Sequence, residues 1–371
     1  MLPLVKVRMP ERAQLMPALE HVLYSGMIAE GEEVYAFERE FAEQFGLPHA
    51  LAMSSGTGAL HVAFLTCGVG PGDEVITTSM TAEPTNTTIL QIGARPVFAD
   101  VEPDTGNLSP DAVERAITPA TRAICVVHYA GYPADMTALR AIADRHGIAL
   151  IEDCAHALGA RIAGVPAGTI GDAAIFSFQA IKHMTSVDGG MLALRDPAKL
   201  DLARRLRWFG LRKGVPRTEV DITTPGFKYN MNNVTAVVGR HQLPTIGEAI
   251  ARHIENGRFY DRAFAQIPGV TPAHVAADSE PSYWLYTLLC DDSAAVETAL
   301  VATGIAASKL HRPNHLHSVL APYAGPMPGL DRFYDRLLHL PCGWWVNDED
   351  RARIVEIVGN VASGATPRNA Q

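Results

Sequence analysis

"DAAIFSFQAIKHMTSVDGGMLALR", residues 172 to 195, decides the fold. Two short apolar runs, 172–178 and 190–195, read as buried strands. Between them stand a single lysine, Lys182, and a glycine pair, Gly189 and Gly190. Most lysines are solvated surface residues, and Lys182 taken alone is one of them. Its place just past a strand end matters because ligands of open parallel sheets collect at the carboxyl ends of strands.

Working outward, "DEVITT" (73–78), "RPVFADV" (95–101), "RAICVVHY" (122–129) and "IALIED" (148–153) repeat the same apolar signature. Helical patterns separate them. "TGALHVAFLTCG" (57–68) ends in Gly68, "SPDAVERAI" (109–117) has Ser109 as its expected N-cap and Pro110 at the first position, and 133–147 stops at Gly147. Alternating strand and helix predicts an α/β domain with a mostly parallel central sheet flanked by helices. Past "GFKYNMNNVTAVVGRHQL" (226–243) the character changes. A helical pattern (246–264), a stretch rich in Pro, Ala and Ser, a strand (284–290), a helix (292–303), a strand (305–310) and two further helices read as a smaller α+β domain. The expected division is 1–245, which includes an N-terminal helical segment, and 246–371.

The chain has 371 residues, 47% of them hydrophobic and 19% charged, which suits a globular enzyme of two domains. Its net charge is −9, without a block of lysine or arginine. That excludes nucleic acid or an anionic membrane as the main partner. It leaves room for a phosphorylated small molecule, which needs only a local positive pocket. The five cysteines are scattered and never form a C-x-x-C pair, so reduced thiols in a cytoplasmic protein are expected, with no metal site. No apolar run is long enough for a signal peptide or a membrane span.

Three segments fall after strands: "SSGTG", "EDCAHALGA" and "SFQAIKH". The first opens a helix. There the N–H groups of Thr57 and Gly58, helped by the Ser55 and Thr57 hydroxyls, could cradle an anion, although an ordinary capped helix start has the same composition. No Gly-Lys-Ser/Thr follows, so it is not a P-loop. The second places Asp153 at the end of an apolar strand, where a carboxylate needs a cation or donors. His156 follows three residues later. A lysine at one strand end, a buried acid at another and a phosphate cradle are the equipment for pyridoxal phosphate (PLP). The lysine amine takes up the aldehyde as an imine, the acid keeps the pyridine nitrogen protonated, and the helix start neutralises the phosphate.

On these residues the chain resembles the DegT/DnrJ/EryC1/StrS family of PLP-dependent sugar aminotransferases, of the aspartate aminotransferase fold (fold type I). The resemblance spans roughly residues 10 to 360 and rests on "SSGTGALH", "GPGDEVITTSMT", "GARPVFADVEPDTGNL", "VVHYAGYPADM", "IEDCAHALGA", "GDAAIFSFQAIKHMTSVDGGM", "GFKYNMNN" and "LPCGWW". It implies that Lys182 is the imine lysine and Asp153 the partner of the pyridine nitrogen. His156 would lie against the ring oxygen, and Thr57, Gly58 and Ser177 would bind phosphate. Lys228 stands where the family reaches the neighbouring subunit's phosphate, which implies a homodimer with shared sites. His311 and Arg312, in "SKLHRPNHLH" (308–317), fall on a substrate-facing loop; Arg212, Lys213 and Lys309 are further candidates to meet a diphosphate.

One position departs from the family. Ala82 stands where an aromatic residue usually stacks on the cofactor ring, a contact worth about 0.5–1.5 kcal/mol beyond burial. Either Met80 or a residue elsewhere covers that face, or the ring is left partly open for an unusual substrate. Glu83 and Asn86 are expected to cap the next helix rather than line the pocket.

The reaction implied is a ping-pong transfer of the amino group of L-glutamate to a keto group of a nucleotide-linked deoxysugar. The alternatives are amination of a cyclitol or small ketone, a sugar 3-dehydratase in which a histidine replaces the lysine, and a regulator without activity.

Overall fold

The structure is a computed structural model that describes residues 1–364. In chain order the strands are β1 (Ala50–Met53), β2 (Glu74–Thr77), β3 (Arg95–Phe98), β4 (Thr121–Val127), β5 (Ala149–Asp153), β6 (Arg161–Ile162), β7 (Val165–Pro166), β8 (Ala173–Ser177), β9 (Gly190–Leu194), β10 (Val270–Pro272), β11 (Ser279–Glu280), β12 (Tyr286–Cys290) and β13 (Leu337–Leu340). Seven of them form one sheet in the order β1-β9-β8-β5-β4-β2-β3. The pairs from β8 to β3 are parallel, and β9 runs antiparallel to both β1 and β8.

Helices cover both faces, so the central strands are buried on both sides and read as unbroken apolar runs rather than alternating ones. Ile124, Cys125 and Val126 of β4, and Leu150 and Ile151 of β5, are all fully buried. Register places Val127, Asp153 and Ile175 side by side. The carboxyl ends of β4, β5 and β8 therefore open on one edge.

The crossover helix Met136–His146 begins where Asp135 accepts from the Ala138 N–H and ends at Gly147, whose φ of 63° is the left-handed conformation that favours glycine. Ser109 does precede the helix Pro110–Ala116, but its side chain makes no capping bond.

A second, three-stranded sheet, β10-β12-β13, packs with the helices Ser293–Ala302 and Asp348–Ala362 around its own core of Tyr260, Phe264, Tyr286, Leu288, Phe333 and Leu338. The helix that joins the two halves is longer than the sequence pattern suggests: it runs from Asn233 to Phe264, capped by the Asn232 side chain. Its Ala236, Leu243, Ile246 and Ile250 belong to the large core, and its Tyr260 and Phe264 to the small one. The change of character expected near residue 245 thus lies inside a helix rather than in a linker; residues 365–371 lie outside the described residues.

The segment 305–310 is not a strand. Ile305 and Ser308 make single bridges, to Leu2 and His339, and Leu310 adopts a φ of 55° before Pro313. β13, four residues long, takes the place beside β12 instead.

Candidate active site

Asp153 ends β5 and is buried. Its Oδ2 accepts from the Thr85 hydroxyl at 2.9 Å and its Oδ1 from the Ala155 N–H at 3.1 Å. Burial raises its pKa; those two donors and the charge of Lys182 oppose the rise.

Lys182 lies in the turn after β8 and is half-buried. Its Nζ sits 4.1 Å from the centroid of the Trp284 ring. Desolvation brings its pKa down to about 8, against the pull of Asp153. About a tenth of the amine is then uncharged at pH 7, far more than for an ordinary lysine, and able to act as nucleophile or base.

His156 stacks on Trp284 at 4.0 Å with an 18° angle, and its ring is nearly parallel to that of His311 at 5.6 Å. The ring is buried, and neither of its nitrogens has a hydrogen-bond partner. Desolvation first, then Lys182 and the neighbouring histidines, hold its pKa well below the usual value, so the ring is neutral. A neutral imidazole has one donor and one acceptor, and leaving both unmet inside a protein costs about 1–3 kcal/mol each. The pair is built for a ligand.

His183 faces elsewhere. Its Nε2 meets the Ser282 carbonyl at 3.0 Å and its ring packs 4.7 Å from His253. Lys182, not His183, stands with Asp153.

The helix Gly56–Thr66 starts beside β8. A Cβ on Gly56 would lie 3.0 Å from the Ser177 Cβ and 3.2 Å from its hydroxyl, so the helix start and Ser177 face each other closely. The N–H groups of Gly56 and Thr57 belong to the first turn and have no carbonyl four residues back. Gly58 differs from the sequence expectation, because its N–H is taken by the Ser55 Oγ at 3.0 Å. Its lack of a side chain serves the packing of Tyr229, whose ring a Cβ would meet at 3.0 Å. Lys228 is exposed and donates to the Asn230 side chain at 2.6 Å.

From the other half of the chain, Asn314 donates to the Thr81 carbonyl at 2.7 Å, and His315 holds the Ser79 hydroxyl at 2.8 Å. These bonds fasten the 308–317 loop onto the segment before Ala82 and bring His311 to His156. The His311 Nε2 is also buried without a partner, and burial brings its pKa to about 4. Arg312 is exposed. Lys309 is turned away onto the Tyr334 and Asp335 carbonyls, Arg212 pairs with Asp201 at 3.0 Å, and Lys213 pairs with Glu30 at 2.8 Å. Asn86 neither caps nor lines: it binds the Thr78 carbonyl and the Asn314 side chain, while Glu83 lies exposed in the first turn of its helix.

Trp284 was not singled out from sequence. The signal was present in "SYWLY", since an indole entering a buried strand must find a partner for its N–H.

His128, Glu152 and Cys154 lie together behind the site. The Glu152 carboxylate is filled by the Gly168, Ile170 and Gly171 N–H groups and by His128, whose second nitrogen accepts from Ala134. This is a satisfied structural network, not a metal site.

The residues present suit PLP: an amine of lowered pKa, a carboxylate held by two donors, an unpartnered neutral histidine and a helix start facing a serine. Together with the fold, they define an enzyme of the PLP-dependent aminotransferase class. The chain matches the DegT/DnrJ/EryC1/StrS aminotransferase family over residues 10–359 and belongs to it, as a PLP-dependent sugar aminotransferase. It is 36% identical over 361 residues to the spore coat polysaccharide biosynthesis protein SpsC of Bacillus subtilis (strain 168), covering 92% of this chain and 93% of that one. Its structure is similar to that of the sugar aminotransferase CalS13 of Micromonospora echinospora, at 38% identity and a TM-score of 0.93 over 98% of this chain and 100% of that one. The PLP form of the putative sugar aminotransferase Spr1654 of Streptococcus pneumoniae superposes with a TM-score of 0.89 at 27% identity, over 98% and 99% of the two chains. Among the described residues no helix is long and apolar enough to cross a membrane.

Proposed function

We propose that the chain moves the amino group of L-glutamate onto a keto group of a nucleotide-linked keto-deoxysugar, and that two copies of it form a homodimer with shared active sites. The placement of Lys182 between Asp153 and Trp284 carries this reading. PLP, when bound, withdraws electrons from the carbon that bears the amine and so lets its proton leave. Asp153 keeps a negative charge where a ring nitrogen is to be held protonated. His156, buried and neutral, would offer the cofactor a hydrogen-bond donor. Lys182, with a pKa brought to about 8, would hold the cofactor through its amine and, when that amine is free, would carry the proton. Ser177, Thr57 and the first N–H groups of the helix would hold the phosphate.

The nucleotide part of the reading rests on the small-domain loop. Of the cations expected to meet a diphosphate, Arg312 remains exposed, while Arg212, Lys213 and Lys309 are engaged within the chain. The shared site is supported by Lys228, exposed beside the cradle, and by an apolar surface that includes Leu23, Tyr24, Met27 and Ile28, of which Tyr24 is 85% exposed. The likeness to a polysaccharide biosynthesis protein and to a sugar aminotransferase favours a sugar acceptor.

A panel of 3-keto and 4-keto nucleotide sugars, each incubated with glutamate, tests the reading by mass detection. The expected result is an amino sugar formed in an amount equal to 2-oxoglutarate. Amination of a free cyclitol ketone alone, or loss of a sugar hydroxyl without amination, would overturn it.

A further inference from the structure

Three contacts converge on one residue outside the large domain's motifs. The Trp284 indole N–H donates to the Ile181 carbonyl at 2.8 Å, directly before Lys182. Its ring face receives the Lys182 Nζ at 4.1 Å. It stacks on His156 at 4.0 Å. One side chain therefore touches the backbone that aims the lysine, the lysine's nitrogen and the histidine next to it.

The backbone of Trp284 is itself pinned. Ser282 N–H donates to the Gly131 carbonyl at 3.0 Å and Leu285 N–H to the Ala130 carbonyl at 3.3 Å. Gly131 has no room for a side chain, because a Cβ there would lie 2.7 Å from the Trp284 nitrogen. Tyr283, between the anchors, takes a φ of 46°, a conformation a bulky residue holds only when its surroundings impose it. The indole is held from both ends, and through it, as through the 308–317 loop, the second half of the chain enters the active site.

We propose that Trp284 is a positioning residue for the Lys182 amine: its N–H fixes the turn and its face holds the nitrogen toward Asp153. The inference rests on Lys182 being the lysine that binds PLP. An aromatic face attracts a cation, so it favours the protonated state of a nitrogen above it. The other groups facing Lys182 are Asp153 at the end of β5, His156 in the following turn and His311 from the 308–317 loop; His183, on its own segment, is turned away. The histidines are neutral near pH 7, as burial lowers all three, which leaves Asp153 and the indole face to govern the protonation of Lys182.

The test is the pH at which the colour of the PLP-loaded protein changes. Trp284→Leu should lower that midpoint by about 0.5–1 pH unit, and Trp284→Phe, which keeps a ring face but loses the N–H, should fall between it and the wild type. Folded variants that titrate at the wild-type midpoint overturn the proposal. Lys182→Ala serves as the separate check: if it keeps the colour, the assignment of the lysine has failed, whereas loss of colour there with unshifted Trp284 variants refutes the role of Trp284 alone. Should the Trp284 variants not fold, wild-type apoprotein carrying fluorinated tryptophan gives the answer. One of the resonances of its four tryptophans should titrate with pH and cease to do so in Lys182→Met; if none does, the proposal falls.

Discussion

The Thr85 hydroxyl donates to Asp153 Oδ2 at 2.9 Å, so the helix Glu83–Gln91 holds one oxygen of the acid at the end of β5. Thr85→Val keeps the shape and removes the donor. The Asp153 pKa, already raised by burial, should rise further. PLP affinity should drop about tenfold, the scale of one hydrogen bond to a charged group. Asp153 is needed ionised, and it protonates as pH falls. The acid limb of the activity profile should therefore move to higher pH, as a pH series on both proteins would show; an unmoved limb contradicts the role given to Asp153.

Lys182 is destabilising when no cofactor is bound. Its folded-state pKa, about 8, lies below its ordinary value of 10.5, so the unfolded chain binds the proton more tightly. The penalty is fully present below pH 8 and is relieved as pH rises from about 8 towards 10.5. Lys182→Met should make the apoprotein more stable by about 1–2 kcal/mol at pH 7, with the gain shrinking by pH 10. Thermal unfolding at the two pH values checks the sign.

The strand ends that matter were legible because two apolar runs of the main sheet, β5 and β8, stop at the chemically loaded residues Asp153 and Ser177, and because helix stops such as Gly147 punctuate the chain. The pairing of Lys182 with Asp153 followed from the same rule about strand ends. What the sequence hid is long-range. Trp284 lies about a hundred residues from Lys182, and the bonds of Asn314 and His315 to the 79–81 segment cross between halves of the chain. The N–H of Gly58 looked free for an anion because composition does not reveal that Ser55 takes it. β13 was missed because four residues, three leucines and His339, are too few to show a period.

His183 is structural in this geometry. Its Nε2 is bound to the Ser282 carbonyl and its ring is buried against His253. His183→Ala should cost about 1–3 kcal/mol through the cavity and the unmet carbonyl, and yet leave the colour of the PLP-loaded protein intact. Thermal unfolding and absorbance of the same samples separate the two effects. A variant that unfolds no more easily but loses its colour would place His183, rather than Lys182, at the cofactor.

Lys228 allows a direct test of shared sites. Lys182→Ala and Lys228→Ala should each be strongly impaired alone. If Lys228 serves the neighbouring copy, a mixture refolded or co-expressed from both variants should regain activity, because one site of the mixed dimer then has both lysines intact. For random pairing the recovery approaches about a quarter of the wild-type level, as half of the dimers are mixed and each has one of two sites restored. No recovery above the separate variants, with mixed dimers demonstrated by mass, would assign Lys228 to its own chain's site.

Gly190 closes the cradle from below. It pairs with Ser177 of β8 and with Met53 of β1, so it lies between the serine and the helix start proposed to hold the phosphate. A Cβ at Gly190 would come within 2.7 Å of the Gly56 nitrogen and of the Ser55 carbonyl carbon and oxygen. These are backbone atoms of a capped helix start and cannot swing aside as a side chain can. Gly190→Ala should therefore push the helix away from β8 at a cost of about 3 kcal/mol, the upper part of the usual range for overpacking. Gly56→Ala meets the Ser177 side chain at 3.0 and 3.2 Å and its Cα at an ordinary contact distance of 3.4 Å, and should cost about 1 kcal/mol. Both should weaken PLP binding, Gly190→Ala the more, since it moves the N–H groups as well as the serine. Unfolding curves and PLP titrations of the two variants give the order; if Gly56→Ala proved the more damaging, the packing of β9 against the helix start would not be what sets the cradle.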